Sequence, residues 1–144
     1  MIWKLVALIV GLGVVLSSCS DPKMDKVDAL KTECIEIHDE VMPKMGNIVE
    51  LSTDIKDWKK TLDGDTSDSV VAFRGMLVAQ VTILDSAHES MMAWMGDYEV
   101  YYEASHDADS AISYYENEIV RIAQVRELML KSIDDGKKVL EGRN

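Results

Sequence analysis

Two stretches of the sequence repeat one pattern of histidine and methionine at an offset of fifty residues. Each stretch reads His, an acid, two residues, Met, two residues, Met, Gly, and then Asn or Asp. The recurring side chains are His38, Met42, Met45, His88, Met92 and Met95. Thioether sulfur and imidazole nitrogen are ligands that suit Cu(I). Copper binding is therefore the first chemistry that the pattern indicates.

The spacing puts the His and both Met of each stretch within about 60° of arc on a helix, because each residue turns about 100°. If two such helices fold about a turn near Gly64, His38 comes level with about position 90 and His88 with about position 40. The two imidazoles then converge. The predicted Cu(I) ligands are His38, Met42, His88 and Met92, with Met45 and Met95 as outer ligands.

Two other interpretations compete with copper. Helical methionines usually fill a core, and a repeat kept for folding alone has the same pattern, so we favour packing over a metal site. His/Met pairs also ligate haem iron, but the sequence has no Cys-x-x-Cys-His for covalent haem attachment. Nor does it have a Gly-rich phosphate loop or a Ser/His/Asp order in a nucleophile context, and we predict that the protein is not an enzyme.

The elements that must position these side chains are long helices. From 24 to 60 the apolar residues recur every seven positions, which predicts a seam for packing against another helix. One row consists of Val27, Cys34, Val41, Ile48, Ile55 and Leu62, and its companion of Leu30, Ile37, Leu51 and Trp58. Cys34 lies on this seam and is predicted to be a buried small hydrophobe. Pro43 predicts a kink or a break, because it lacks an N–H and crowds the carbonyl of Asp39.

The same periodicity predicts a second helix over 69–95 and a third over 110–140. A turn rich in Asp and Gly separates the first two helices, and a looser aromatic connection over 98–109 exposes Tyr98, Tyr101 and Tyr102. The expected fold is all-α. It is an antiparallel bundle of three long helices over 24–141, or of four helices if the first breaks at Pro43.

The N-terminus has the pattern of a bacterial secretion signal. One positive charge, Lys4, precedes an apolar run from Leu5 to Leu16 that is too short to be a comfortable bilayer span. The run ends in Leu-Ser-Ser-Cys, which resembles the lipobox of lipoproteins and implies cleavage after residue 18 and lipid on Cys19. Residues 19–23 are then a lipidated tether, and Ser20 favours the outer membrane, facing the periplasm. Since the lipid occupies Cys19, Cys34 has no partner for a disulfide.

The charge is strongly acidic. The chain has 15 Lys and Arg against 26 Asp and Glu, for a net charge of −11. Such a surface repels nucleic acid and anionic lipid headgroups, and it attracts cations and basic partners. The predicted function is a membrane-anchored, non-enzymatic interaction or structural module with a protein partner in the envelope. The alternative is a periplasmic Cu(I)-binding protein.

The motif His38–Met45, followed by Met91–Met95, resembles a family of short lipobox-bearing lipoproteins of Gram-negative bacteria. These proteins are often labelled "viral A-type inclusion protein", a name that reflects helical composition. The resemblance extends into the third helix through Glu116, Ile119, Val125, Met129, Ser132 and Gly136. It implies a lipoprotein with a helical bundle, and it implies no particular activity.

Overall fold

The computed structural model describes residues 21–143, and every secondary-structure element in that part of the chain is helical. The four α-helices are α1 (Pro22–Val41), α2 (Met45–Thr61), α3 (Asp68–Asp97) and α4 (Ala108–Glu141). Two short 3₁₀ turns, Met42–Lys44 and Tyr102–Ala104, are the other helical elements of residues 21–143. The predicted all-α fold class is confirmed. The predicted signal peptide, lipobox and Cys19 lie outside the described residues.

Pro43 divides the predicted first helix. Its missing N–H and its ring end α1 at Val41, and a 3₁₀ turn leads directly into α2. The flanking residues keep right-handed helical angles, with φ −109° and ψ −22° at Val41 and φ −85° and ψ −4° at Lys44. Of the two outcomes left open by the sequence, the structure therefore has the break, with four α-helices.

Acidic caps fix where two of the helices begin. The Asp21 carboxylate accepts a hydrogen bond from the Lys23 N–H at 3.0 Å, and Pro22 fills the first turn, where no N–H is needed. At the start of α4, the Asp107 carboxylate accepts from the N–H groups of Asp109 and Ser110. Both caps satisfy N–H groups that have no partner within the helix.

The predicted seams form the core. The main cluster of buried residues takes one face from each of the helices and is closed by partly buried side chains such as Trp58 and Phe73. Its fully buried members include Cys34, Val41, Ile55, Leu84, Ala87, Met91, Ile122 and Met129. A second cluster at the end of the bundle where α1 begins contains Val27, Ala111 and Tyr115.

Ion pairs tie α1 to α4. Lys23 Nζ lies 2.6 Å from Asp109 Oδ2 near the beginning of both helices. Further along both, Arg126 Nε lies 2.7 Å from Glu40 Oε2. These contacts place the start of α1 beside the connection between α3 and α4.

Polar contacts also join the other helices. Ser52 Oγ donates to Asp85 Oδ1 at 2.7 Å between α2 and α3. Inside the core, Gln80 Nε2 donates to the Ser132 carbonyl at 3.2 Å between α3 and α4. A buried amide with a hydrogen-bond partner avoids most of the cost of leaving water. Gln80 therefore fixes how α3 and α4 are aligned.

Candidate functional site

The first histidine of the repeat lies against an aromatic ring. His38 stacks on Trp94 of α3, with 5.6 Å between ring centroids and 30° between the ring planes. Its Nδ1 lies 2.8 Å from Oδ1 of the neighbouring Asp39. Both the ring face and one ring nitrogen of His38 are therefore already in contact with protein groups.

The second histidine lies in a different environment. His88 lines an open groove of about 230 Å³ between α2 and α3, together with Ser52, Lys56, Asp85 and Glu89. The hydrogen bond from Ser52, assisted by Lys56 Nζ at 3.0 Å, lowers the pKa of Asp85 below its ordinary value. The groove is thus a polar site in which the carboxylate of Asp85 already has two donors.

These neighbours differ from the predicted positions of the two histidines along the paired helices. His38 lies beside Trp94, where position 90 was expected, and His88 lies beside Ser52, where position 40 was expected. The levels of the two imidazoles differ by six residues of α3, or about 9 Å of helix rise. The register follows the fit of core side chains, and a turn centred on Gly64 does not determine it.

The four methionines of the repeat are equally dispersed. Met45 is buried in the main core, and Met42 and Met95 pack against that core from its edge. Met92 is 50% exposed on the outside of α3. Within residues 21–143, no group of three or more His, Cys, Asp or Glu side chains has a geometry that could hold a metal ion. Met45 was predicted as an outer ligand, and its contacts are those of a packing residue.

A Cu(I) titration tests the copper prediction directly. Because His38 and His88 have separate neighbours, we expect the full chain to show no tight Cu(I) site that depends on both histidines. The measurement is competition with a chromogenic Cu(I) chelator, using wild-type protein and the His38→Ala/His88→Ala variant. Stoichiometric binding that the double variant loses would restore the shared site and overturn this expectation.

Aromatic rings fill the end of the bundle where α1 begins. Trp94 stacks on Tyr98 at 4.7 Å, and Tyr102 lies between Tyr114 and His106 at centroid distances of 4.1 Å and 3.8 Å. The predicted exposure of Tyr98 and Tyr102 is therefore wrong, because stacking half-buries both rings. Tyr101 was predicted correctly: it is 73% exposed.

Cys34 lies beneath these rings and is fully buried, as predicted. Burial, reinforced by the negative charge of Glu118, raises the pKa of the Cys34 thiol to about 11. Burial also raises the pKa of Tyr98. Three buried polar atoms have no hydrogen-bond partner within residues 21–143: Trp94 Nε1, Tyr98 Oη and Glu118 Oε2. Such atoms cost stability unless water reaches them, so this is the least well satisfied part of the core.

The outward side of α3 carries an unusual surface, which we call the outer strip. From 69 to 84 the sequence contains a single charged residue, Arg74, which is directed toward Asp63 at the end of α2. The exposed residues of the outer strip are Val71, Ala72, Gly75, Met76, Val78, Ala79, Thr82 and Ile83. Met76 is 66% exposed and Val78 is 47% exposed. These eight exposed residues carry no charge, in a chain whose net charge is −11.

By length and composition alone, Asp68–Ala104 would be able to cross a membrane, with a mean hydropathy of 1.4 over its most apolar window. Only 22% of that window is buried in the bundle. The inward side of the helix nevertheless packs Leu77, Leu84 and Met91 into the core. The hydropathy of α3 therefore has two sources, a packed inner side and the exposed outer strip. The run from 69 to 84, with Arg74 as its single charged residue, is the sequence signal for the strip.

Comparison of the chain with protein-family models, curated proteins and solved structures finds no match. The resemblance to short lipobox lipoproteins therefore stays a prediction, and the function must be argued from the residues of this chain.

Proposed function

We propose that this protein is a lipoprotein of the bacterial cell envelope, anchored by lipid on Cys19 in the outer membrane and facing the periplasm. On this proposal its helical domain is a non-enzymatic module that binds another envelope protein. The sequence of residues 1–19 supports the anchor. The described helices support the module, since α1 begins at Pro22, only three residues after the proposed lipid.

We infer that the helices run up, down and up, with α1 and α2 as one divided rod. In the ion pairs between α1 and α4, the earlier residue of α1 pairs with the earlier residue of α4 and the later with the later, so the two helices run in the same direction. Helices α2 and α3 run in opposite directions. Ser52 forms a hydrogen bond with Asp85, whereas the later residue Asp63 pairs with the earlier residue Arg74. This arrangement gives a tall, narrow domain with α3 along one side.

The outer strip is the observation that carries the proposal. Soluble domains rarely leave a long helix face both uncharged and open, and such a face indicates an interaction surface. The contrast with the rest of the molecule strengthens this point. Most basic side chains in residues 21–143 are held in internal ion pairs, so the outward charge is dominated by acids.

The anchor is tested by metabolic labelling. Cells that produce the full chain and are fed an alkyne analogue of palmitate are expected to label it, and the label should fractionate with the outer membrane. Only a thiol forms the thioether, so Cys19→Ser is expected to lose the label. Cys34→Ser is the matched control, because the buried thiol should receive no lipid. Equal labelling of wild type and Cys19→Ser would contradict the anchor.

The module is tested by cross-linking in the cell. A photoreactive amino acid at Val78 is expected to form an adduct with another envelope protein, which mass spectrometry would identify. The same group at Val120, a valine on α4 that is 57% exposed, is the control for non-specific capture. If neither position, nor others spread over the four helices, gives an adduct in cells that contain the folded protein, the binding role fails.

A further inference from the structure

We propose that the outer strip receives a single amphipathic helix of a partner protein, and that Lys or Arg residues bracket the apolar stripe of that helix at both ends. This inference rests on the proposed binding function and adds the chemistry of the partner.

The strip has the shape of one helix-packing surface. It extends over 71–83, about 18 Å of helix rise, and is one helix face wide. At its middle, a Cβ added to Gly75 would meet no atom within 4 Å, so a partner backbone can approach closely there. Thr82 donates its hydroxyl to the Val78 carbonyl at 3.0 Å, which leaves its methyl group for apolar contact. A second helix can pack along such a face, with its side-chain ridges between those of the strip.

Acidic side chains close the strip at both ends. Asp68 precedes it and Glu89 follows it, and both are exposed. They are separated by twenty-one residues, about 32 Å and nearly six turns, and so lie on the same outward side of α3. A partner helix with a basic residue near each end would place opposite charges together at both ends. Like charges there would oppose docking.

The same two acids exclude a second copy of this chain as the favoured occupant. If two α3 helices met in parallel, Asp68 would face Asp68 and Glu89 would face Glu89. If they met in opposite directions about the middle of the strip, Asp68 would face the region of Glu89 at both ends. Each copy also carries a net charge of −11. Self-association is therefore opposed by charge in either direction.

The test uses two synthetic helical peptides with an identical Leu/Ala stripe. One carries Lys at both ends, with the spacing of Asp68 and Glu89, and the other carries Glu at the same positions. Fluorescence anisotropy measures binding to the full chain. We expect the Lys peptide to bind about tenfold tighter than the Glu peptide or better, since two rim charge pairs contribute about 1.4 kcal/mol together.

Three variants make the test specific. Val78→Glu puts a charge in the middle of the strip and is expected to weaken binding of the Lys peptide at least tenfold, while Val120→Glu, at an exposed valine of α4, leaves it unchanged. Asp68→Lys/Glu89→Lys is expected to reverse the preference between the peptides. Asp68→Asn/Glu89→Gln, which keeps the size of both side chains, should make the two peptides equal. Circular dichroism checks that each variant is folded.

Several results would overturn the inference. One is equal binding of both peptides to the wild type, and another is an equal loss of binding from Val78→Glu and Val120→Glu. Concentration-dependent dimerisation through the strip, or Val78-dependent binding to vesicles of neutral phospholipid, would also overturn it. The cell cross-link separates this inference from the binding function beneath it. An adduct at Val78 with a protein segment that has no flanking Lys or Arg would contradict the proposed basic partner helix. It would still support the proposed binding function.

Discussion

Replacing Gly136 by leucine is expected to destabilise the folded protein by about 3 kcal/mol. Gly136 is buried on α4 at the point where three helices meet. A Cβ built there lies 3.4 Å from Leu51 Cδ1, 3.5 Å from Leu84 Cδ1 and 3.7 Å from Gln80 Nε2. One carbon therefore just fits, and the branched remainder of a leucine has no space to occupy. The added atoms must displace core side chains or separate α4 from α2 and α3.

Two matched variants isolate this effect. Gly136→Ala should be neutral or stabilising by up to about 1 kcal/mol, because its Cβ makes ordinary contacts and alanine favours the helix. Gly75→Leu makes the same chemical change in the outer strip, where open space surrounds the Cβ, and no loss of stability is expected. Urea unfolding followed by far-UV circular dichroism measures all three. If Gly136→Leu is as stable as Gly75→Leu, the close packing of α4 is refuted.

The heptad rows are the part of the fold that the sequence predicts well. Burial follows them from Val27 through Cys34 and Val41 to Ile55. The later helices also begin and end within two residues of their predicted limits, at Asp68–Asp97 and Ala108–Glu141. A period of seven predicts which side of a helix is buried, because that depends only on positions within the helix itself.

The register between helices could not be predicted in the same way. A turn near Gly64 would have placed Ser52 close to position 76, whereas Ser52 bonds Asp85. The register depends on which bulky and small side chains fit together across helices, as with His38 on Trp94. An error of a few residues along α3 separates groups that were expected to meet. This is why the sequence predicts the core better than it predicts the register on which the His/Met site depends.

The aromatic connection shows a related limit. Tyr98 and Tyr102 lie in the connection between α3 and α4. Connections usually face solvent, so the sequence predicts that both rings are exposed. The end of the bundle instead offers apolar surface from Trp94 and from Tyr114, and stacking on it half-buries the rings. Only the packed neighbours, which are distant in sequence, distinguish these tyrosines from Tyr101.

In the folded protein, Cys34 is expected to react with iodoacetamide more than 100-fold more slowly than in urea at pH 8. The thiolate is the reactive form, and a rise of the pKa from 9.0 to about 11 alone lowers its fraction about 100-fold at that pH. The sign follows from burial, since a thiol buried beside Tyr98 is penalised for becoming charged. The full burial of the side chain excludes the reagent as well, so the observed protection should exceed the effect of the pKa.

Mass spectrometry of the peptide that contains Cys34 measures the rate in each condition. The matched control is Ala79→Cys in a Cys34→Ala background, which moves the thiol to the exposed outer strip and should react at nearly the same rate folded or unfolded. Slow reaction of Cys34 together with fast reaction of the thiol at position 79 requires a packed α1, α3 and α4 with an open outer side of α3. Fast reaction at Cys34 in the folded protein would show that the aromatic end of the bundle opens readily. The core beneath the rings, and the alignment of α3 that the outer strip depends on, would then need to be reconsidered.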